Sequence, residues 1–122
     1  MRFMMFVRAD KNTESGVLPS KELVAAMGRF NEEMAKAGVL LAAEGIQPSA
    51  KGARVTFGRG TRSATNGPFP ASELVAGFWM IQAASKDEAI DWAKRVPFNS
   101  GEVVEIRQVF EASDFPPEIL AP

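Results

Sequence analysis

The hydrophobic pattern opens with segment 2–8, which is apolar at both parities: Phe3, Met5 and Val7 fall on one face, Met4 and Phe6 on the other. Such a strand wants cover on both faces and belongs at the centre of a sheet. Residues 9–19 carry Asp10, Asn12, Thr13, Ser15, Gly16 and Pro19, a loop composition that ends where Ser20 can cap a helix. Leu23, Met27, Phe30 and Met34, joined by Ala26 and Ala37, then recur at three- and four-residue spacing. They predict an amphipathic helix over 21–37, stopped by Gly38.

Residues 39–46 return to a strand, and Pro48, Ser49, Lys51 and Gly52 form the turn that makes 53–57 its expected hairpin partner. Gly58-Arg59-Gly60 is a second tight turn. A short polar strand over 61–65 follows and stops at Asn66-Gly67-Pro68, where proline removes a ladder donor. Residues 69–76 read as a loop or one helical turn. Residues 77–83 are the second strongly apolar strand, and Ser85-Lys86-Asp87-Glu88 is a capping box opening a helix with Ala89, Trp92, Ala93 and Val96 on one side. Pro97 ends that helix, 101–110 is the last strand, and the tail over 112–122 has no period.

The order is strand, helix, three-strand meander, strand, helix, strand. It predicts an α+β sandwich with two helices on one face of a mainly antiparallel sheet, in a single domain of 122 residues. Two helices cover one face only. The other face is left with residues such as Met4, Phe6, Trp79 or Ile81, and a homodimer packed through the sheets is the expected cover.

Composition removes several classes of chemistry. The chain has no cysteine, histidine or tyrosine, so disulfides, thiolate metal sites and any Ser-His-Asp or Cys-His arrangement are excluded. No metal and no cofactor is expected. Acid/base work, if any, falls to a carboxylate or a lysine. The 14 basic and 15 acidic residues give a net charge of −1 and read as well mixed, which indicates neither nucleic acid nor an anionic membrane as partner. The apolar start, interrupted at Arg8 and Asp10, is too short for a signal or a membrane span, and a cytoplasmic location is expected.

The candidate site residues are few. Asn66 and Gly67 stand at the stiff turn before Phe69, where Asn66 offers a donor and an acceptor to a ligand and an Asn-Gly pair is open to deamidation. The catalytic residue is not fixed; the carboxylates considered are Glu44, which shares parity with Leu40, Ala42 and Ile46, and Glu73, in the loop after the turn. Trp79 and Trp92 serve either a cavity wall or the core. Arg54, Arg59 and Arg62 cluster on one hairpin, as an anion clamp or as a solvated surface. Arg107, opposite in parity to Val104, Ile106 and Phe110, is placed to meet Glu44, Glu105 or a ligand anion.

In order along the chain, Pro19-Ser20-Lys21-Glu22-Leu23, Gly38-Val39-Leu40-Leu41, Glu44-Gly45-Ile46-Gln47-Pro48, Lys51-Gly52-Ala53-Arg54-Val55 and Asn66-Gly67-Pro68-Phe69 resemble the YCII-related proteins of the DGPF type. Gly77-Phe78-Trp79-Met80-Ile81, Asp87 to Lys94 and Glu105 to Glu111 continue the resemblance over nearly the whole chain. It implies a ferredoxin-like subunit of the dimeric α/β-barrel superfamily. The family has no generally established reaction, and its members often accompany extracytoplasmic-function sigma factors. Related proteins carry a His/Asp pair in a cleft, whereas this chain has no histidine and has Asn66 where the signature has aspartate. The segment between Phe69 and Gly77 is one residue shorter than the common form, with Ser72 near the place of its lysine.

Two functions fit these residues. One is a homodimer that binds a small organic molecule in a cleft, with cofactor-independent acid/base chemistry open to it. The other is a non-enzymatic interaction module, for which the resemblance, through the family's association with sigma factors, implies a protein partner in transcriptional regulation.

Overall fold

A computed structural model describes residues 1–121. Six strands run through it: β1 (Arg2–Arg8), β2 (Leu40–Gly45), β3 (Ala53–Gly58), β4 (Thr61–Asn66), β5 (Val75–Gln82) and β6 (Val104–Gln108). The helices are the single turn α1 (Lys11–Glu14), α2 (Lys21–Lys36), α3 (Lys86–Lys94) and the single turn α4 (Pro117–Leu120). The fold is α+β with an antiparallel sheet in the order β2-β5-β1-β6.

The helix ends follow from local chemistry. The Ser20 hydroxyl accepts the Leu23 N–H at 3.1 Å, and the Ser85 hydroxyl accepts the Glu88 N–H at 3.1 Å. Glu88 reaches back to the N–H of Ala84. At the far end of α2, Gly38 takes φ +73°, which frees its N–H for Ala35 and the next N–H, of Val39, for Met34. This double bond pattern satisfies two carbonyls that the helix leaves open, and it returns Val39 to the core beside Met34.

Register divides the sheet into two faces. Phe3 pairs with Ile81, and Met5 with Trp79 and Ile106, so these side chains share one face; with Phe30, Met34, Ala89 and Val96 of the helical layer they make the core. Both helices therefore lie over the same face, as the pattern predicts. The Phe30 ring stands edge-on to Trp79 at 5.7 Å between centroids, and the Trp79 indole N–H donates to the Asn31 side chain at 2.7 Å. The open face holds Met4 opposite Met80 and Phe6 opposite Phe78, rimmed by Ala42 and Glu44 on β2 and by Glu105 and Arg107 on β6. Two expectations about that face need correcting: Trp79 and Ile81 lie on the helix-covered side, 5% and 0% exposed. Their places on the open face are taken by Phe78 and Met80.

The expected meander also fails. β2 pairs with β5 rather than β3, and β3 and β4 form a separate two-stranded arm. The arm is an insertion between two neighbouring strands. β5 brings Trp79 and Ile81 to Ala43 and Leu40, a larger apolar surface than the alternating Ala53, Val55 and Phe57 of β3 would offer. Smaller differences are the α1 turn inside the expected loop, where Asp10 and Thr13 cap each other, and short helical turns at Ala112–Asp114 and α4 in the tail. Among the described residues no helix is long and apolar enough to cross a membrane.

Candidate functional site

The arm leaves the sheet at the end of β2 and returns at the start of β5, and a cleft of about 330 Å³ forms at its base. Its apolar wall comes from Ile46, Phe69, Leu74 and Val75; Glu14, Ser49, Lys51 and Arg54 supply polar groups. The short helical turn Ser49–Lys51 and the chain from Gly67 to Phe69 close in on each other here. The Gly67 N–H donates to the Gly52 carbonyl at 3.0 Å, and the bond between Gly67 and Pro68 is cis.

Ser49 organises the polar side. Its hydroxyl donates to the Glu14 carboxylate, its own N–H donates to the same carboxylate at 3.0 Å, and its oxygen accepts the Phe69 N–H at 2.9 Å. One serine thus ties α1, the Pro48 turn and the segment after Pro68. Glu14 is only partly exposed, and among the described residues no arginine or lysine lies within ion-pair distance of it. Its charge is met by hydrogen bonds instead.

Arg54 covers the other side. Its guanidinium lies over the Phe69 ring at 4.0 Å and donates to Glu73 at 3.0 Å. Arg8 donates to the Ser72 carbonyl at 2.6 Å, pinning the short helical turn Ala71–Glu73 that carries Glu73. The rim around the apolar floor thus holds Glu14, Ser49, Lys51 and Arg54, with Glu73 behind Arg54. Such a rim can orient a small molecule by hydrogen bonds while the floor takes its apolar part.

The sequence candidates do not all converge there. Glu73 reaches the rim through Arg54, and Gly67 is part of its frame. Asn66 ends β4 opposite Ala53 and is exposed, outside the cleft wall. Glu44 is exposed on the open sheet face opposite Phe78. The expected face is corrected in part: a register shift between Leu40 and Ala42 turns Leu40 to the core side with Ile81, so Glu44 shares the open face with Ala42 but not with Leu40, and it lies at the sheet edge in solvent. Trp79 is a core residue with its N–H satisfied by Asn31, and Trp92 packs near Phe30 at 6.4 Å between centroids. Arg107 lies on the open face opposite Met4, 3.6 Å from Glu105, with its side chain 71% exposed.

Glu14 and Ser49 carry the polar side of the cleft and were not singled out from the sequence. They are separated by 35 positions, and each stands in a segment whose composition already accounts for it as a turn. Among the described residues no group of three or more aspartates or glutamates is placed to hold a metal ion.

No curated protein matches the chain. A family model, the YCII-related domain, matches residues 1–113 of the 122, and by that match, spanning the sheet, both long helices and the arm with its cleft, the chain belongs to the YCII-related family.

Proposed function

We propose that this protein binds a small organic molecule in the cleft at the base of the β3–β4 arm. The observation that carries the reading is the cleft itself. At about 330 Å³ it lies within the range of small-ligand sites, and it joins an apolar floor to polar groups already held in place by Ser49 and Arg54. Proton transfer in such a site falls to Glu14 or Glu73, not to Glu44, which the sheet places elsewhere.

The subunit is a homodimer of ferredoxin-like protomers in this reading. The strand order β2-β5-β1-β6, with the helices on one face, supports the ferredoxin-like assignment. The half-covered Met4, Phe6, Phe78 and Met80 support a second copy over the open face.

A thermal-shift screen of a broad metabolite set tests the binding reading, because a ligand present at 100 times its Kd stabilises the native state by about 2.7 kcal/mol. A specific hit should be lost in Arg54→Ala and kept in Glu44→Ala. A flat screen overturns the reading and leaves the interaction module, which the exposed Val55 and Phe57 of the arm favour. Light scattering that finds a monomer at micromolar concentration overturns the dimer.

A further inference from the structure

The β3–β4 arm has little internal support. All its strand residues are exposed, and an isolated two-stranded hairpin is marginal in water because it buries no face. Its register sorts the side chains. Ala53, Val55 and Phe57 share one face with Asn66, Ala64 and Arg62, while Arg54, Thr56 and Gly58 share the other with Thr65, Ser63 and Thr61. On the apolar face Val55 is 56% and Phe57 68% exposed, and Arg62 lies over the Phe57 ring at 4.6 Å.

Charge is segregated along the same segment. Residues 45–72 contain Lys51, Arg54, Arg59 and Arg62 and no acid at all. Taking these four from the chain's 14 basic residues leaves ten against 15 acidic ones, so the body outside the segment carries a net −5. The even mixing suggested by the totals breaks down at the arm.

We propose that the arm docks on a second copy of this chain, its apolar face covered by that copy and its cations set against that copy's acidic body. The proposal rests on the homodimer reading and adds a contact that the sheets alone do not make. Arm against arm is excluded by like charge; arm against body is complementary. On the open sheet face Glu105 already has Arg8 and Arg107 within 3.7 and 3.6 Å, whereas Glu44 has no cation within ion-pair distance among the described residues. Glu44 is therefore the charge left for the partner's Arg59 or Arg62. A polyanion is the less favoured occupant, because it would meet the net negative body, and Arg54 is already engaged with Glu73.

The test is sedimentation equilibrium on the full chain. Arg59→Glu/Arg62→Glu and, separately, Val55→Ser/Phe57→Ser should each raise the dimer dissociation constant by about tenfold or more, with far-UV circular dichroism unchanged because the arm lies outside the core. Glu44→Lys should weaken self-association likewise. Mixing the Glu44→Lys chain with the Arg59→Glu/Arg62→Glu chain should restore a dimer, since in the mixed pair one arm contact is wild-type and the other is charge-swapped, and both attract. Wild-type-like dimerisation of both arm variants overturns the proposal and leaves the sheet dimer standing. A monomeric wild type removes the dimer and the arm contact together. Unchanged dimerisation with loss of binding to labelled DNA or to phosphatidylserine vesicles assigns the arm to a polyanion instead.

Discussion

Gly67 sits against the backbone of Ser49 so closely that a Cβ built on it would lie 1.9 Å from the Ser49 carbonyl oxygen and 2.6 Å from its carbonyl carbon. Glycine is required here by close approach, since its φ is not in the left-handed region. Both neighbouring atoms are backbone, so a side chain is accommodated only by moving the Ser49 turn. Gly67→Ala should therefore cost about 2 kcal/mol, the usual scale for forced backbone shifts, in urea unfolding. It should also separate Ser49 from Phe69 and weaken any ligand that the thermal-shift screen finds. Wild-type stability with unchanged ligand binding would overturn the requirement for glycine at this position.

The Trp79 indole and Asn31 form a polar pair on the core side of the sheet. Asn31→Ala strands a buried N–H donor, and the loss should be about 1–3 kcal/mol by urea denaturation. In Trp79→Phe the donor is gone, so adding Asn31→Ala to it should cost clearly less. A double-mutant cycle reads the difference as the coupling of the two side chains. Additive losses would mean that Asn31 stabilises α2 for another reason.

How much of this was legible in the sequence depends on the range of the interaction. Ser20, Ser85 and Gly38 define their helix ends because each acts on N–H or carbonyl groups within a few residues. The partner of β2 is a long-range choice. The turn composition at Pro48–Gly52 argues locally for a hairpin with 53–57, but only β5 carries side chains that close the core over β2. Parity was equally silent for Trp79. β5 is apolar on both faces, and the packing of Phe30 decides which face turns inward. The link between Glu14 and Ser49 is longer still and has no local signature.

Arg2 and Glu111 tie β1 to the segment after β6 through two hydrogen bonds, Nε to Oε1 at 2.7 Å and Nη2 to Oε2 at 3.1 Å. The hydrogen bonds from Arg2 hold the Glu111 carboxyl below its ordinary value, with desolvation opposing in part and the guanidinium charge helping. Arg2 is raised for the matching reason. Since the folded carboxyl titrates lower than the unfolded one, the contribution is present above the ordinary carboxylate range and is lost as pH falls through the folded value. Glu111→Gln should lower Tm slightly at neutral pH, and the gap from wild type should close under acid. Both side chains are more than a third exposed, so added salt should shrink the gap as well. A gap that persists unchanged in acid would assign it to packing.

Asn66 and Gly67 carry the last prediction, because deamidation at an Asn-Gly pair needs the glycine nitrogen to reach the asparagine side-chain carbonyl. In this fold that nitrogen donates to the Gly52 carbonyl at 3.0 Å, and Asn66 is held in the β4 ladder opposite Ala53. Attack requires this end of the arm to open first. An extended arm with no buried face opens more readily than the core sheet, so the protection should be partial. Peptide mapping after mild alkaline incubation should show Asn66 converting more slowly in the native protein than in urea. Gly67→Ala, which displaces the same backbone, removes the protecting bond but also hinders the attacking nitrogen with a methyl group. Val55→Ser/Phe57→Ser is the cleaner comparison, since it strips the arm's exposed apolar face without touching the pair. If a second copy covers the arm, native conversion should also slow as protein concentration rises through the dimer dissociation constant, and the arm variant should lose that dependence.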